Sequence, residues 1–470
     1  MTSLVNRRQF LRAVPAAGAA LRGQTPAAKR VLIAGAGMAG LASALQLVRR
    51  GYDVTIFEGQ GRPGGRVQTL REGLAPGLTA ETGATRIPDT HFLTLSYARE
   101  FGLALEPFHA PVGLDTFHVR GQDLTVRNGK EPEWPLNLTA EERKLGREGM
   151  AAKYFGPAVA QAVKQNRLRQ VPDAVMAQDE GPIAEYLKKR GLSADAVELV
   201  NFGFATTFGA GLTFLDAVSE HVEKSYFHIA GGNDKLPFAL AERLGARIRY
   251  GHRIVAMEQS DSSATLIVEH EGERQKHTAP HLICALPFSV TGGLFEGARL
   301  PAQKQELTAG MPYLASDKIF LQMRRQFWRE KGRNGFAYTD LLSERFWALG
   351  PAEAEKRGLL ISYTIGPKAE KLDKMTARDR LAVTLADAEQ VFPGAREHFE
   401  SVRVKSWAAD PWVRGLSPDY GPGQLKRIAA AAQREGRIHF AGEHTSRWTG
   451  WIQGALDSAH RVVDEITSAA

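Results

Sequence analysis

The sequence predicts an α/β (α+β) fold with a Rossmann-type dinucleotide-binding unit near its N-terminal side. Two stretches carry that prediction. Residues 29–60, "KRVLIAGAGMAGLASALQLVRRGYDVTIFEGQ", run through an apolar strand, a glycine turn, a helix and a second strand. Near the other end, "GRIHFAGEHTSRWTGWIQGALDSAHRVVDEI" again sets a short strand, a turn and an amphipathic helix in succession. A chain of 470 residues exceeds one compact core, so two or three structural units are expected.

Residues 1–28 stand apart from this fold. They hold Arg7, Arg8, Arg12 and Arg22 and no acid, so the formal charge of +8 falls to +4 without them. The stretch resembles a twin-arginine export signal, with Arg7, Arg8, Phe10 and Leu11 in the matching places. The expectation is a periplasmic or secreted protein, or a cytoplasmic one if the segment does not act as a signal. Elsewhere basic and acidic residues are interspersed, which argues against nucleic acid as a partner. No apolar run reaches membrane-spanning length. The lone cysteine, Cys284 in "HLICALPF", reads as a buried strand residue, and no Cys/His spacing suggests a metal site.

The glycine motif comes first in the fold. Val31 to Ala34 is an apolar run suited to a buried parallel strand. Gly35, Gly37 and Gly40 then form G-x-G-x-x-G. The first allows a sharp turn, the second lets backbone approach a pyrophosphate, and the third lets helix and strand pack closely. Met38 and Ala39 sit within the motif, and a helix is predicted from about Ala39 to Arg50, stopped by Gly51. Val54 to Phe57 form the second strand. Glu58 closes it where a carboxylate accepts a ribose hydroxyl, and its charge argues against the 2′-phosphate of NADP.

"GQGRPGGRVQT" follows at once, with Arg62, Gly64, Gly65 and Arg66. Freed backbone amides and the Arg66 guanidinium would hold a pyrophosphate. Here the sequence resembles the flavin-containing amine oxidase superfamily, and among its members the L-amino acid oxidases. The resemblance spans about residues 30–100 and 225–470. It implies FAD, bound in a Rossmann-type domain assembled from the discontinuous segments 29–100, 231–310 and 431–470. It also implies a mixed-sheet substrate domain from 101–134 and 311–430, and a helical lid over 135–230.

In such a fold the C-terminal segment returns to the cofactor. A strand is predicted at Ile438 to Ala441, followed by Gly442 and Glu443, which the resemblance places at the flavin's ribityl and phosphate region. A helix is predicted from about Gly450, with Ile452, Leu456, Val462, Val463 and Ile466 on its apolar face. Its N-terminus, with Gly450, Trp451 and Ile452, would meet negative charge at the flavin's pyrimidine edge. Gly231 to Pro237 resembles the turn by which the chain re-enters the cofactor domain. The strand Arg253 to Met257 would bring backbone near Val255 to adenine. No cysteine occurs in the last 180 residues, so FAD is expected to be non-covalent.

"TGATRIP" places Gly83, Ala84, Thr85 and Arg86 where the L-amino acid oxidases carry the arginine that grips the substrate carboxylate. A guanidinium fork matches a carboxylate with two parallel hydrogen bonds, which lysine cannot do. On the same resemblance Tyr363 in "LLISYTIG" contacts that carboxylate, and the Gly450 carbonyl accepts from the substrate amine. Trp451 walls the pocket. Lys318, placed before a strand in "SDKIF", would link through water to flavin N(5), and Trp407 in "SWAADPW" would pack along the isoalloxazine. The implied activity is oxidation of L-amino acids, large apolar or aromatic ones, by molecular oxygen to 2-oxo acids, ammonia and hydrogen peroxide. A monoamine or polyamine oxidase, or an amino-acid monooxygenase, is the alternative on this scaffold. A homodimer is a possible assembly.

Overall fold

Five parallel strands form the sheet that the glycine motif predicts. In spatial order they are Ile248–Arg249, Asp53–Phe57, Arg30–Ala34, His281–Cys284 and Ile438–Phe440. Val31 stands level with Val54 on one side and His281 on the other. A parallel sheet is covered on both faces, which is why these strands read as near-continuous apolar runs. On one face Val31 and Ile33 pack with Leu41 and Leu45 of the helix Met38–Arg49 and with Leu456 and Val463 of the helix Ile452–Ser468. On the other, Leu32, Leu282 and Phe440 pack with Met257, Leu266 and Val268. The last three belong to an antiparallel layer of Arg253–Gln259, Ala264–His270 and Glu273–Ala279.

This computed structural model describes residues 29–108, 112–127, 130–165, 169–202, 209–221, 225–350, 353 and 355–468. The twin-arginine segment at 1–28 lies outside the described residues.

A second, mixed sheet of seven strands runs in the order Phe399–Ser406, Ser316–Met323, Gly358–Ile365, Arg345–Leu349, Arg333–Thr339, Leu114–Val119 and Gln122–Arg127. Lys318 is not ahead of its strand. It is the third residue of Ser316–Met323, a strand buried along its whole length, and it faces Tyr363 across the ladder. The polar start "SDK" hides that strand from a hydrophobicity reading.

Helices Ala140–Gln165, Ile183–Lys189, Ala194–Val200 and Ala210–His221 fill the middle of the chain. Thr139 and Glu142 close a reciprocal capping box at the first, and Ser193 caps the third through the amide of Ala196. Phe214 joins them by ring contacts to Phe155 and Tyr186. The C-terminal helix begins at Ile452 rather than Gly450, because Gly450 holds a φ of +80° that a helix cannot include. Among the described residues no helix is long and apolar enough to cross a membrane, and no cluster of His, Cys, Asp and Glu could hold a metal ion.

Candidate active site

The carboxyl ends of the parallel strands open on a cavity of about 690 Å³, walled by Gly35, Glu58, Ala285 and Gly442 and continuing to the lid helix Ala210–His221. Ligands bind at this edge of open α/β sheets. The three glycines of the motif do different work. Gly35 has a φ of +101°, which permits the turn. A Cβ on Gly40 would lie 2.0 Å from the Gly35 carbonyl oxygen, so helix and turn touch there and Gly40 itself does not reach the cavity wall. A Cβ on Gly37 would meet nothing within 4 Å. That open approach is what a pyrophosphate against the backbone requires. The helix beyond it has no side-chain cap, and its first residues, Met38 and Ala39, line the cavity.

Glu58 is held by two amides, Ala36 N at 2.7 Å and Gln60 N at 2.8 Å, one on each carboxylate oxygen. Burial pushes its pKa up, while these amides and Arg62 pull it down. Gly64 ties the second glycine turn to the first through Ala36 O at 2.9 Å, and Gly65 has a φ of +57°. Trp412 lies across Gly59 and completes this end of the cavity.

Arg66 lines the cavity, but its charge already has a partner. Its Nη1 donates to Glu443 Oε1 at 2.7 Å and to Leu416 O at 2.6 Å. The other oxygen of Glu443 accepts from Gly450 N at 2.7 Å. The pair therefore joins the arginine clamp to the N-terminus of the last helix.

The segment Glu81 to Thr85 is fastened more firmly than its sequence suggests. Five consecutive carbonyls each accept from a side chain. Lys318 Nζ, fully removed from water, donates to Glu81 O at 3.0 Å and Gly83 O at 2.8 Å. It also reaches Thr85 Oγ1 at 2.6 Å. Trp407 Nε1 donates to Thr82 O at 2.8 Å. Asn233 Nδ2 donates to Ala84 O and Thr85 O, each at 3.0 Å, while its Oδ1 accepts from Ile229 N at 2.8 Å. With the carbonyls turned outward, Gly83, Ala84, Thr85 and Arg86 line the cavity. Among the described residues the amides of Gly83 and Thr85 donate to no protein group. They suit a flat heteroaromatic ring edge that carries acceptors.

Lys318 and Trp407 thus stand behind the wall, not on it. Burial brings the Lys318 ammonium down to about 7, opposed by Glu81 and aided by Arg86 and Arg345. Val255 is off the wall as well. Its strand bulges between Ile254 and Ala256, which leaves Val255 out of register, and Arg253 and Ile254 face the cavity.

At the lid end Arg86 places its guanidinium 4.8 Å from the Tyr226 ring centroid and 5.7 Å from that of Trp451. Tyr363 lines the same wall, its hydroxyl pKa pushed up by burial. Gly450, Trp451 and Ile452 close the side toward the last helix. Four residues that sequence reasoning missed join them: His91, Asp216, Arg345 and Trp347. His91 meets the Trp451 and Trp448 rings edge-on, and burial holds its pKa down to about 3, so the imidazole is neutral. Arg345 is buried against Glu344 and lies 5.0 Å from the Tyr363 ring centroid. No motif in the sequence places any of the four; His91 lies five residues after Arg86.

The family model described as flavin-containing amine oxidoreductase matches residues 38–467, nearly the whole described chain. The chain belongs to this family. A flavin cofactor is therefore implied, and the open Gly37 approach, the uncapped helix and the free amides of Gly83 and Thr85 fit one. The L-amino-acid oxidase of Vipera ammodytes ammodytes is 26% identical over 458 residues, covering 94% of this chain and 93% of its own. That of Crotalus adamanteus is 26% identical over 456 residues, covering 94% and 87%. Among solved structures, putrescine oxidase bound to putrescine matches with a TM-score of 0.79 at 20% identity, covering 94% of this chain and 99% of that one. Cyclohexylamine oxidase from Brevibacterium oxydans IH-35A matches at 0.77 and 21%, with the same coverage. At such identities the two structures speak for the fold alone.

Proposed function

We propose that the protein carries out oxidative deamination of L-amino acids to 2-oxo acids, with FAD bound non-covalently and with release of ammonia and hydrogen peroxide. The observation that carries this reading is Arg86 on the wall at the lid end, between the rings of Tyr226 and Trp451 and beside Tyr363. A guanidinium held at this place offers a substrate carboxylate two parallel donors. The Tyr363 hydroxyl, kept protonated by burial, adds a third donor.

FAD would rest its phosphates on the glycine turn and the start of the helix Met38–Arg49, its ribose on Glu58 and its ring system along Gly83 to Arg86 and Gly450 to Ile452. When bound, it supplies acceptance of a hydride from Cα and its delivery to molecular oxygen. The protein's own contribution is orientation. Arg86 and Tyr363 fix the carboxylate, the Gly450 carbonyl accepts from the amine, and Trp451 limits rotation between them. Non-covalent attachment is supported by Cys284, the one cysteine in the chain, which is buried in its strand with its thiol pKa pushed up to about 12.

The test is peroxide release from a panel of L-amino acids and their decarboxylated amines. Faster turnover of the amino acids supports carboxylate recognition. Preference for the amines contradicts it and favours an amine oxidase on the same scaffold.

A further inference from the structure

The segment Asp410 to Pro418 leaves the mixed sheet after the strand Phe399–Ser406 and follows the cavity along its length. Pro411, Trp412, Val413, Arg414, Leu416 and Ser417 all line it. Trp412 stands at Gly59, one residue past Glu58, the carboxylate assigned to the ribose. The Leu416 carbonyl takes Arg66 at 2.6 Å. Ser417 lies against Gly450, where a Cβ would come 3.7 Å from its own. One strap therefore passes the places given to the ribose, the phosphates and the ring system.

The strap is fastened, so the place of Trp412 is fixed. Asp410 Oδ1 accepts from Trp412 N at 2.9 Å, its Oδ2 from Lys405 Nζ at 2.5 Å, and its carbonyl from Arg414 N at 2.8 Å. Ser289 Oγ donates to Val413 O at 2.5 Å, and Leu416 N and Ser417 O both pair with Leu314. Gly59 serves the indole. Its φ is not in the left-handed region, so its backbone does not require glycine. A Cβ there would stand 2.2 Å from Trp412 Cζ3 and 2.7 Å from Cη2. Trp412 nevertheless keeps 38% of its surface exposed. Among the described residues it is the one large exposed apolar side chain that lines the cavity.

An indole left open beside a ribose site suits a flat, uncharged heteroaromatic ring, because stacking buries area on both partners and needs no opposite charge. The isoalloxazine is assigned elsewhere, along Gly83 to Arg86 and Gly450 to Ile452. The adenine of FAD is the ring that remains. We propose that Trp412, set on Gly59 by this strap, binds the adenosine half of the cofactor, so that the protein selects FAD over FMN, which lacks that half. This rests on the reading of the cavity as an FAD site. It gives Gly59 a definite task as well, since any side chain there pushes the indole off its seat.

Full-length wild type, Trp412→Ala and Gly59→Ala, freed of flavin, are titrated with FAD and with FMN, and binding is read from the change in flavin fluorescence. Wild type is expected to bind FAD more tightly than FMN. Trp412→Ala is expected to lose on the order of 10- to 100-fold in FAD affinity and to keep its FMN affinity. Gly59→Ala retains the indole but displaces it, so the same selective loss is expected. It should add nothing once Trp412 is already alanine. If one variant fails to fold, the other reads the same contact. A Trp412→Ala protein that keeps its FAD affinity, or loses FAD and FMN alike, overturns the proposal, and so does simple additivity of the two substitutions. A wild type that binds FMN as tightly as FAD overturns the role of Trp412 alone, whereas one that binds neither flavin contradicts the FAD reading itself.

Discussion

Asn233→Ala tests whether the Glu81 to Thr85 segment is shaped from behind. The side chain is wholly buried and makes three hydrogen bonds, to Ala84 O, Thr85 O and Ile229 N. Each is worth about 1 kcal/mol net, so their joint loss costs about 3 kcal/mol, a large part of a total stability of roughly 5–15 kcal/mol. The chain should fold, with Arg86, the next residue along, less well aimed. Denaturant unfolding of the flavin-loaded protein should show the loss, and KM for amino acids should rise. Asn233→Asp sharpens the argument. It keeps the acceptor for Ile229 N but turns a carboxylate oxygen toward two carbonyls, so it should be the worse of the two variants. A change below about 0.5 kcal/mol with unaltered KM, or an Asp variant better than Ala, would refute the reasoning.

Gly40→Ala should abolish flavin incorporation, because its Cβ would lie 2.0 Å from the Gly35 carbonyl and neither backbone can yield. Flavin content after purification reads this directly, and normal content would show that the turn relaxes. Lys318→Met addresses pH. Burial brings the ammonium to about 7 in the folded chain, against an ordinary value near 10.4. The unfolded chain therefore binds more protons between those values, and stability rises with pH across that window. Unfolding free energies at about pH 7 and about pH 9.5 should differ in wild type, and the difference should shrink in the variant. An identical pH slope would contradict a buried, perturbed Lys318.

The local grammar of the dinucleotide half-site was legible in the sequence because its determinants are short-range. The expected strand at Val31 to Ala34 is found at Arg30–Ala34, and the helix expected from about Ala39 to Arg50 at Met38–Arg49. Gly35 acts through its own backbone conformation, and Gly40 through its contact with Gly35 five residues before it. Arg86 is singled out by the resemblance that "TGATRIP" carries. Asn233 is not. It lies 148 residues from Thr85, and its role exists only once the turn at Gly231 and Gly232 is brought against the Arg86 segment. Asp216 reads as one acid in an amphipathic helix, and nothing in the helical pattern says that its face meets a cavity. Trp407 and Lys318 are expected at the flavin from the resemblance, and the structure sets them against the carbonyls behind the cavity wall. Their pairing with the carbonyls of 81 to 85 depends on a strand whose polar residues are buried.

The carboxylate assignment is tested most directly by Arg86→Lys, assayed on an amino acid and on its decarboxylated amine. Lysine keeps the charge and loses the fork, so kcat/KM for the amino acid should fall by about 2–5 kcal/mol in transition-state terms. The amine should be affected far less. An amino acid turned over as well by the variant as by wild type, or equal losses on both compounds, would contradict the role given to Arg86.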